Sequence, residues 1–157
     1  MPSKRRLLPC LALLSTIWAT DAHAAGKVAV GPAPIFYARP GSPAPFSPAV
    51  RVGDVIYLSG QIGAEPDGSI PADMDRQATL AMAHLGDSLR MAGASFDDVF
   101  RCTVMLTDMS QWQDFNRVYL RSFKPGHLPA RSAFGVTGLA FGAHVEIECM
   151  AHAPGGK

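Results

Sequence analysis

Arg131, Glu146 and Glu148 are the residues whose types and placing carry chemistry in this sequence. Arg131 follows Pro129 and Ala130, and a proline limits how that approach moves, so a guanidinium held there offers two parallel N–H groups to a carboxylate. Glu146 and Glu148 alternate with Val145, Ile147 and Cys149, which puts both carboxyl groups on the strand face opposite the apolar set. In the preceding segment Phe134 and Val136 share one parity, while Arg131, Ala133 and Gly135 share the other. With both apolar sets turned to one core, the cation and the two carboxylates project together from the opposite face. Two chemistries fit that placing. Arg131 grips the carboxylate of a small organic acid while Glu146 holds a water as general base, or Arg131 and a glutamate form an ion pair between subunits.

Other constellations are weaker. His84, His127, His144 and His152 show no metal-ligand spacing beyond His144-x-Glu146, which on a strand reads as two polar residues on one face, so no metal is expected. The zinc deaminases pair H-x-E with C-x-x-C, and the second motif is missing. G-x-G-x-x-G, P-loop and G-x-S-x-G motifs are missing too, and Ser59 and Ser132 read as strand-end hydrogen-bonding residues rather than nucleophiles. A net charge of +1, with Lys4-Arg5-Arg6 as the one basic cluster, gives no electrostatic footprint for nucleic acid or an anionic membrane. The expected partner is a small molecule. With 157 residues and 48% hydrophobic content, the chain has room for one globular domain, and 15 Gly with 13 Pro make it rich in turns.

The elements that must position these side chains follow from periodicity. Ala49–Val52 and Val55–Leu58 read as a hairpin joined by Gly53-Asp54, with Ser59-Gly60-Gln61 closing the second strand. Met74, Ala78, Ala81, Leu85, Leu89 and Ala92 recur at helical steps between an Asp73 N-cap and a Gly93 stop. Val99–Leu106 alternates as a strand with Phe100, Cys102, Val104 and Leu106 on its apolar side. A second helix carries Trp112, Phe115 and Tyr119 at helical spacing behind a capping box at Ser110-x-x-Gln113, and residues 132–137 and 144–151 are the last strands. The order hairpin, helix, strand, helix, strand, strand predicts an α/β domain with one mixed sheet. Two amphipathic helices cover one face of it, so the other face needs a partner, which a homo-oligomer supplies most simply.

The ends of the chain read differently. Lys4-Arg5-Arg6, an apolar run over 7–19 and Ala22-His23-Ala24 are ordered like a secretory signal peptide, so residues 1–24 are expected to be cleaved after Ala24. The apolar run is too short for a permanent anchor, which predicts a periplasmic or secreted protein. A misassigned start codon is the alternative and would leave it cytoplasmic. Residues 25–48 form an arm holding Pro32, Pro34, Pro40, Pro43, Pro45 and Pro48, expected to lie extended over the domain. The domain spans 49–153, followed by a tail at 154–157. Cys10 belongs to the leader; Cys102 and Cys149 could pair in an oxidising compartment if their backbones come close enough, but two buried free thiols are the expectation.

Five ordered segments resemble a known family: Ser59-Gly60-Gln61-Ile62-Gly63; Thr103-Val104 with Leu106-Thr107-Asp108-Met109; Asp114-Phe115-Asn116 with Val118-Tyr119; Pro129-Ala130-Arg131-Ser132; and Val145-Glu146-Ile147-Glu148. Between about Phe46 and His152 the chain is similar to the RidA (YjgF/YER057c/UK114) family. The resemblance implies a chorismate-mutase-like α/β fold, a homotrimer with sites in the clefts between subunits, and no metal or organic cofactor. It implies hydrolysis of reactive enamines and imines, such as 2-aminoacrylate and 2-iminopropanoate, to 2-oxo acids and ammonia. Arg131 then corresponds to the residue holding the substrate carboxylate and Glu146 to the one positioning the attacking water, with Gly60 and Asn116 lining the pocket. Two positions depart from the family pattern: Phe46 stands where a tyrosine is usual, and Ala133 where many members carry cysteine. Losing that hydroxyl removes a hydrogen-bonding handle. A non-catalytic member of the same fold, a small-carboxylate binder or a stress-responsive holdase, is the alternative reading.

Overall fold

The computed structural model describes residues 31–41 and 43–155, so the leader, its cleavage point and the start of the arm lie outside the described residues. Part of the arm joins the sheet rather than lying over the domain. Its strand β1 (Ile35–Tyr37) pairs antiparallel with β2 (Ala49–Val52) at the sheet edge, where nearby prolines remove no internal ladder bond. The hairpin from β2 to β3 (Val55–Leu58) turns at Gly53, whose φ of 59° is open to glycine without strain. Gln61 does not extend β3. With Ile62 it forms a separate short strand, β4 (Gln61–Ile62), which pairs further along the same C-terminal strand that β3 meets, opposite Ile147 and Glu146.

Asp73 caps α1 (Met74–Met91) as its side chain predicts, its Oδ1 accepting from the Arg76 amide at 2.8 Å, and Gly93 at φ 74° follows the helix end. Strand β5 (Val99–Leu106) keeps Cys102, Val104 and Leu106 in the core but not Phe100. A register shift between Val99 and Arg101 turns Val99 inward and leaves Phe100 exposed. The Ser110 capping box does not form. Residues Met109–Gln111 make a 3-10 turn capped by Asp108, which accepts from the Ser110 amide at 2.9 Å, and α2 (Trp112–Tyr119) starts only after it.

Strands β6 (Ala130–Gly135) and β7 (Val145–His152) complete a sheet in the order β1-β2-β3-β7-β5-β6, with β4 paired to β7. Only β5 and β6 run parallel among its pairs, so the sheet is mixed, as the strand–helix alternation predicts. The core lies between sheet and helices: Ile56, Leu85, Leu89, Val104, Phe115 and Ile147 are fully buried there. Buried Gln77 ties α1 across this layer. Its Nε2 donates to the Pro71 carbonyl and its Oε1 accepts from the His144 amide at 2.8 Å, which fixes the entry into β7.

Cys102 and Cys149 face each other across β5 and β7 and form a buried disulfide, which overturns the expectation of two free thiols. Both lie on the core-facing parity of neighbouring strands at one register position, a relation that single-strand patterning cannot show. Among the described residues the opposite sheet face carries no helix. Tyr57, Met150, Thr103, Met105 and Phe134 line it, and Phe134 is 55% exposed. Among the described residues no helix is long and apolar enough to cross a membrane.

Candidate functional site

Glu146 sits near the start of β7, where β4 pairs beside it through Ile62. Its carboxylate occupies the space beside Gly60 that any side chain there would fill: an added Cβ would overlap Glu146 Oε1 and lie 2.9 Å from its Cδ. Glycine at 60 is therefore required by the position of the carboxylate. The two residues line a cavity of about 440 Å³ together with Phe46, Ser59, Gln61, Ile62, Ala64, His84, Ala140 and Phe141. Ser59 is pinned by its hydroxyl, which donates to the Ser47 carbonyl at 2.7 Å and ties the rim near Phe46 to the end of β3.

Burial raises the Glu146 carboxyl above the usual glutamate range, and the negative charge of Glu148 raises it further. A carboxylate made more basic in this way is suited to holding and deprotonating water. His84 Nδ1 lies 3.1 Å from the Ile62 carbonyl oxygen. A carbonyl accepts only, so Nδ1 carries the proton and a neutral ring keeps Nε2 as an acceptor. Among the described residues no three His, Cys, Asp or Glu side chains converge as a metal cluster.

Arg131 lies elsewhere. In the parallel register of β5 and β6 it pairs with Cys102, and Ala133 pairs with Val104, both core-facing residues, so Arg131 points toward the helical layer. Its guanidinium stacks over the rings of Trp112 and Tyr119, at 4.5 and 4.4 Å from their centroids. The expectation that Arg131, Glu146 and Glu148 share one face is overturned. It assumed that Phe134 marks the core side of β6, whereas β6 is an edge strand and Phe134 points to the uncovered face.

Among the described residues the buried Arg131 Nη1 has no hydrogen-bond partner, and neither do the Tyr119 hydroxyl it stacks against, Asn116 Oδ1 on α2 and Gln111 Oε1 just before it. Burial raises the Tyr119 hydroxyl above the usual tyrosine range, and the nearby Arg131 charge opposes that shift. Buried polar groups are rarely left unpaired, so water or a bound group can meet these atoms. The predicted site residues thus fall into two groups within one protomer: Phe46, Gly60 and Glu146 around one cavity, Arg131 and Asn116 across the sheet from it. Sequence reasoning missed His84 and Phe141 in the first group. It read Trp112 and Tyr119 as helix spacing, where their aromatic faces also form the platform under Arg131.

The fold is a mixed sheet with two helices on one face, and a glutamate is seated against a glycine on the other. The sequence profile of the family described as Endoribonuclease L-PSP matches residues 36–153, and the chain belongs to this family, the RidA/YjgF family, with its chorismate-mutase-like fold. The chain is 40% identical over 114 residues to a mouse protein named 2-iminobutanoate/2-iminopropanoate deaminase, covering 71% of this chain and 84% of the mouse protein. It is 37% identical over 114 residues to the human protein of the same name, covering 71% of this chain and 82% of that protein. Among solved structures, E. coli TdcF with bound serine superposes with a TM-score of 0.65 at 34% identity, covering 72% of this chain and 91% of TdcF.

Proposed function

We propose that this protein hydrolyses reactive enamines and imines of the 2-aminoacrylate and 2-iminopropanoate type to 2-oxo acids and ammonia, in a homotrimer whose sites form between protomers. Relatives at 37–40% identity carry the name of that activity. The observation that carries the intersubunit reading is the placing of Arg131 and Glu146 on opposite faces of one sheet, too far apart in role to serve one substrate from a single protomer. Arg131 of one protomer holds the substrate carboxylate, bidentate, over its aromatic platform. Glu146 of the neighbour holds a water against the substrate carbon.

Chemistry in such a cleft needs little more than placing. An enamine takes a proton at carbon to become an imine, whose C=N carbon is already electrophilic. Water held by Glu146 adds to that carbon and gives up a proton to the carboxylate, which passes it to nitrogen. The carboxylate then moves the proton of the new hydroxyl to nitrogen as well, the C–N bond breaks with its electron pair on nitrogen, ammonia leaves and the C=O of the 2-oxo acid remains. No covalent nucleophile takes part, and Phe46 supplies an apolar wall without the hydroxyl of the usual tyrosine. The uncovered apolar sheet face, with Tyr57, Met105 and Phe134, supports burial against other copies of the chain. The charge balance of +1 gives no support to an RNA-cleaving role.

The test is ammonia release from an enzymatically generated 2-imino acid by wild type and by Arg131→Ala. Wild type accelerates release and the variant loses most of that acceleration. Equal rates for the two overturn the proposal and favour the non-catalytic alternative.

The same reading takes the protein out of the cytoplasm, cleaved after Ala24. The Cys102–Cys149 disulfide supports it, because such bonds persist in oxidising compartments. Cell fractionation with N-terminal sequencing is expected to find Ala25 at the start of a periplasmic or secreted form. An intact Met1 in the cytosol overturns it.

A further inference from the structure

Phe141 is 86% exposed, yet its backbone sits at φ 55° and ψ 20°, a left-handed conformation that bulky side chains rarely adopt. Gly142 beside it is also left-handed, at φ 73°, so two successive residues bend the chain between β6 and β7. Neither core packing nor backbone preference accounts for a phenylalanine here, since its ring packs into no core and a glycine fits the turn with less strain. What the turn does is hold that ring at the cavity containing Glu146. Phe46, 56% exposed, lines the same cavity, and Ile62, Ala64 and Ala140 add further apolar surface. In one protomer this is an open cleft of about 440 Å³, so the apolar rings face space beyond that taken by a three-carbon acid.

We propose that Phe141 and Phe46 form a side-chain pocket that makes this site prefer 2-imino acids with a bulky apolar side chain over the alanine-derived one. The proposal rests on the deaminase reading above and names its substrate class. A substrate whose C=N carbon meets the water on Glu146 has its side chain within the same cavity as the two rings. Apolar contact there releases water from three surfaces at once, the substrate and both rings. A three-carbon imino acid leaves that pocket unfilled.

The experiment compares kcat/KM for 2-imino acids generated in situ by an amino-acid oxidase from L-leucine and from L-alanine. Wild type is expected to favour the leucine-derived substrate by about tenfold or more, the scale of discrimination that apolar pockets reach. Phe141→Gly, which removes the ring and fits the left-handed turn, is expected to lower that ratio about tenfold. Thermal melting and sedimentation of the variant match wild type. A wild-type ratio at or below one overturns the proposal, as does a ratio that Phe141→Gly leaves in place. Dissociation of the oligomer with equal loss on both substrates assigns Phe141 to a subunit contact and also overturns it. Acceleration of neither substrate overturns the deaminase reading itself, and the side-chain pocket with it.

Discussion

The carboxylate of Glu146 lies where the side chain of residue 60 would have to be, so Gly60 and Glu146 act as one fitted pair. Replacing Gly60 with alanine pushes the far end of a flexible side chain rather than backbone. The fold therefore yields cheaply while the carboxylate moves by about an ångström. Gly60→Ala is expected to keep its melting temperature and lose about 10²-fold in kcat/KM, the cost of misplacing a reacting group on that scale. Thermal melting beside steady-state kinetics checks both halves. A variant with wild-type kcat/KM contradicts the role given to the pair.

In the proposed mechanism Glu146 works ionised, and its carboxyl is raised first by burial and then by Glu148. Glu148→Gln removes the like charge, so the acidic limb of the kcat/KM profile moves to lower pH. An acidic limb that stays in place removes Glu148 from the account. Glu146→Gln is expected to cost about 10²–10⁴-fold in rate. Stability moves the other way. A carboxyl whose folded-state value is raised opposes folding when ionised, and the penalty is relieved as pH falls through that raised value. Glu146→Gln therefore melts at or above wild type near neutral pH, and the gain disappears on acidification.

The disulfide joins residues 47 apart on two central strands. Closing a loop of that length in the unfolded chain is worth about 3–4 kcal/mol. The double variant Cys102→Ala, Cys149→Ala is expected to unfold at lower denaturant, with stability reduced by about that amount. Thiol titration of the unreduced, unfolded chain beginning at Ala25 finds no free thiol. Two free thiols contradict the pairing.

Most of the fold is legible in the sequence because its signals are local. Asp73 and Gly93 mark the ends of α1 by their own backbone chemistry, and the alternation in β7 places Val145, Ile147 and Cys149 in the core as read. The failures share a cause: each depends on something outside its own segment. The bulge at Phe100 is set by pairing with β7. The facing of Arg131 depends on the parallel register with β5, since on edge strand β6 the largest apolar residue, Phe134, points to the uncovered face. The Cys102–Cys149 bond needs the cross-strand register. Glu146 is legible from strand parity and Gly60 from a family motif, whereas Phe141 carries no motif, and its left-handed backbone is visible only in three dimensions.

The claim on which the mechanism turns is that Arg131 and Glu146 act together from different protomers. Subunit complementation tests it most directly: Arg131→Ala and Glu146→Gln chains, each inactive alone, are unfolded, mixed in equal amounts and refolded. In a closed ring with each site shared between neighbours, about one site in four receives both native residues by random assembly. The mixture is expected to recover about a quarter of wild-type deaminase activity. A mixture as inactive as its parents, with sedimentation showing that the chains co-assemble, would mean that the two residues do not meet across a subunit boundary.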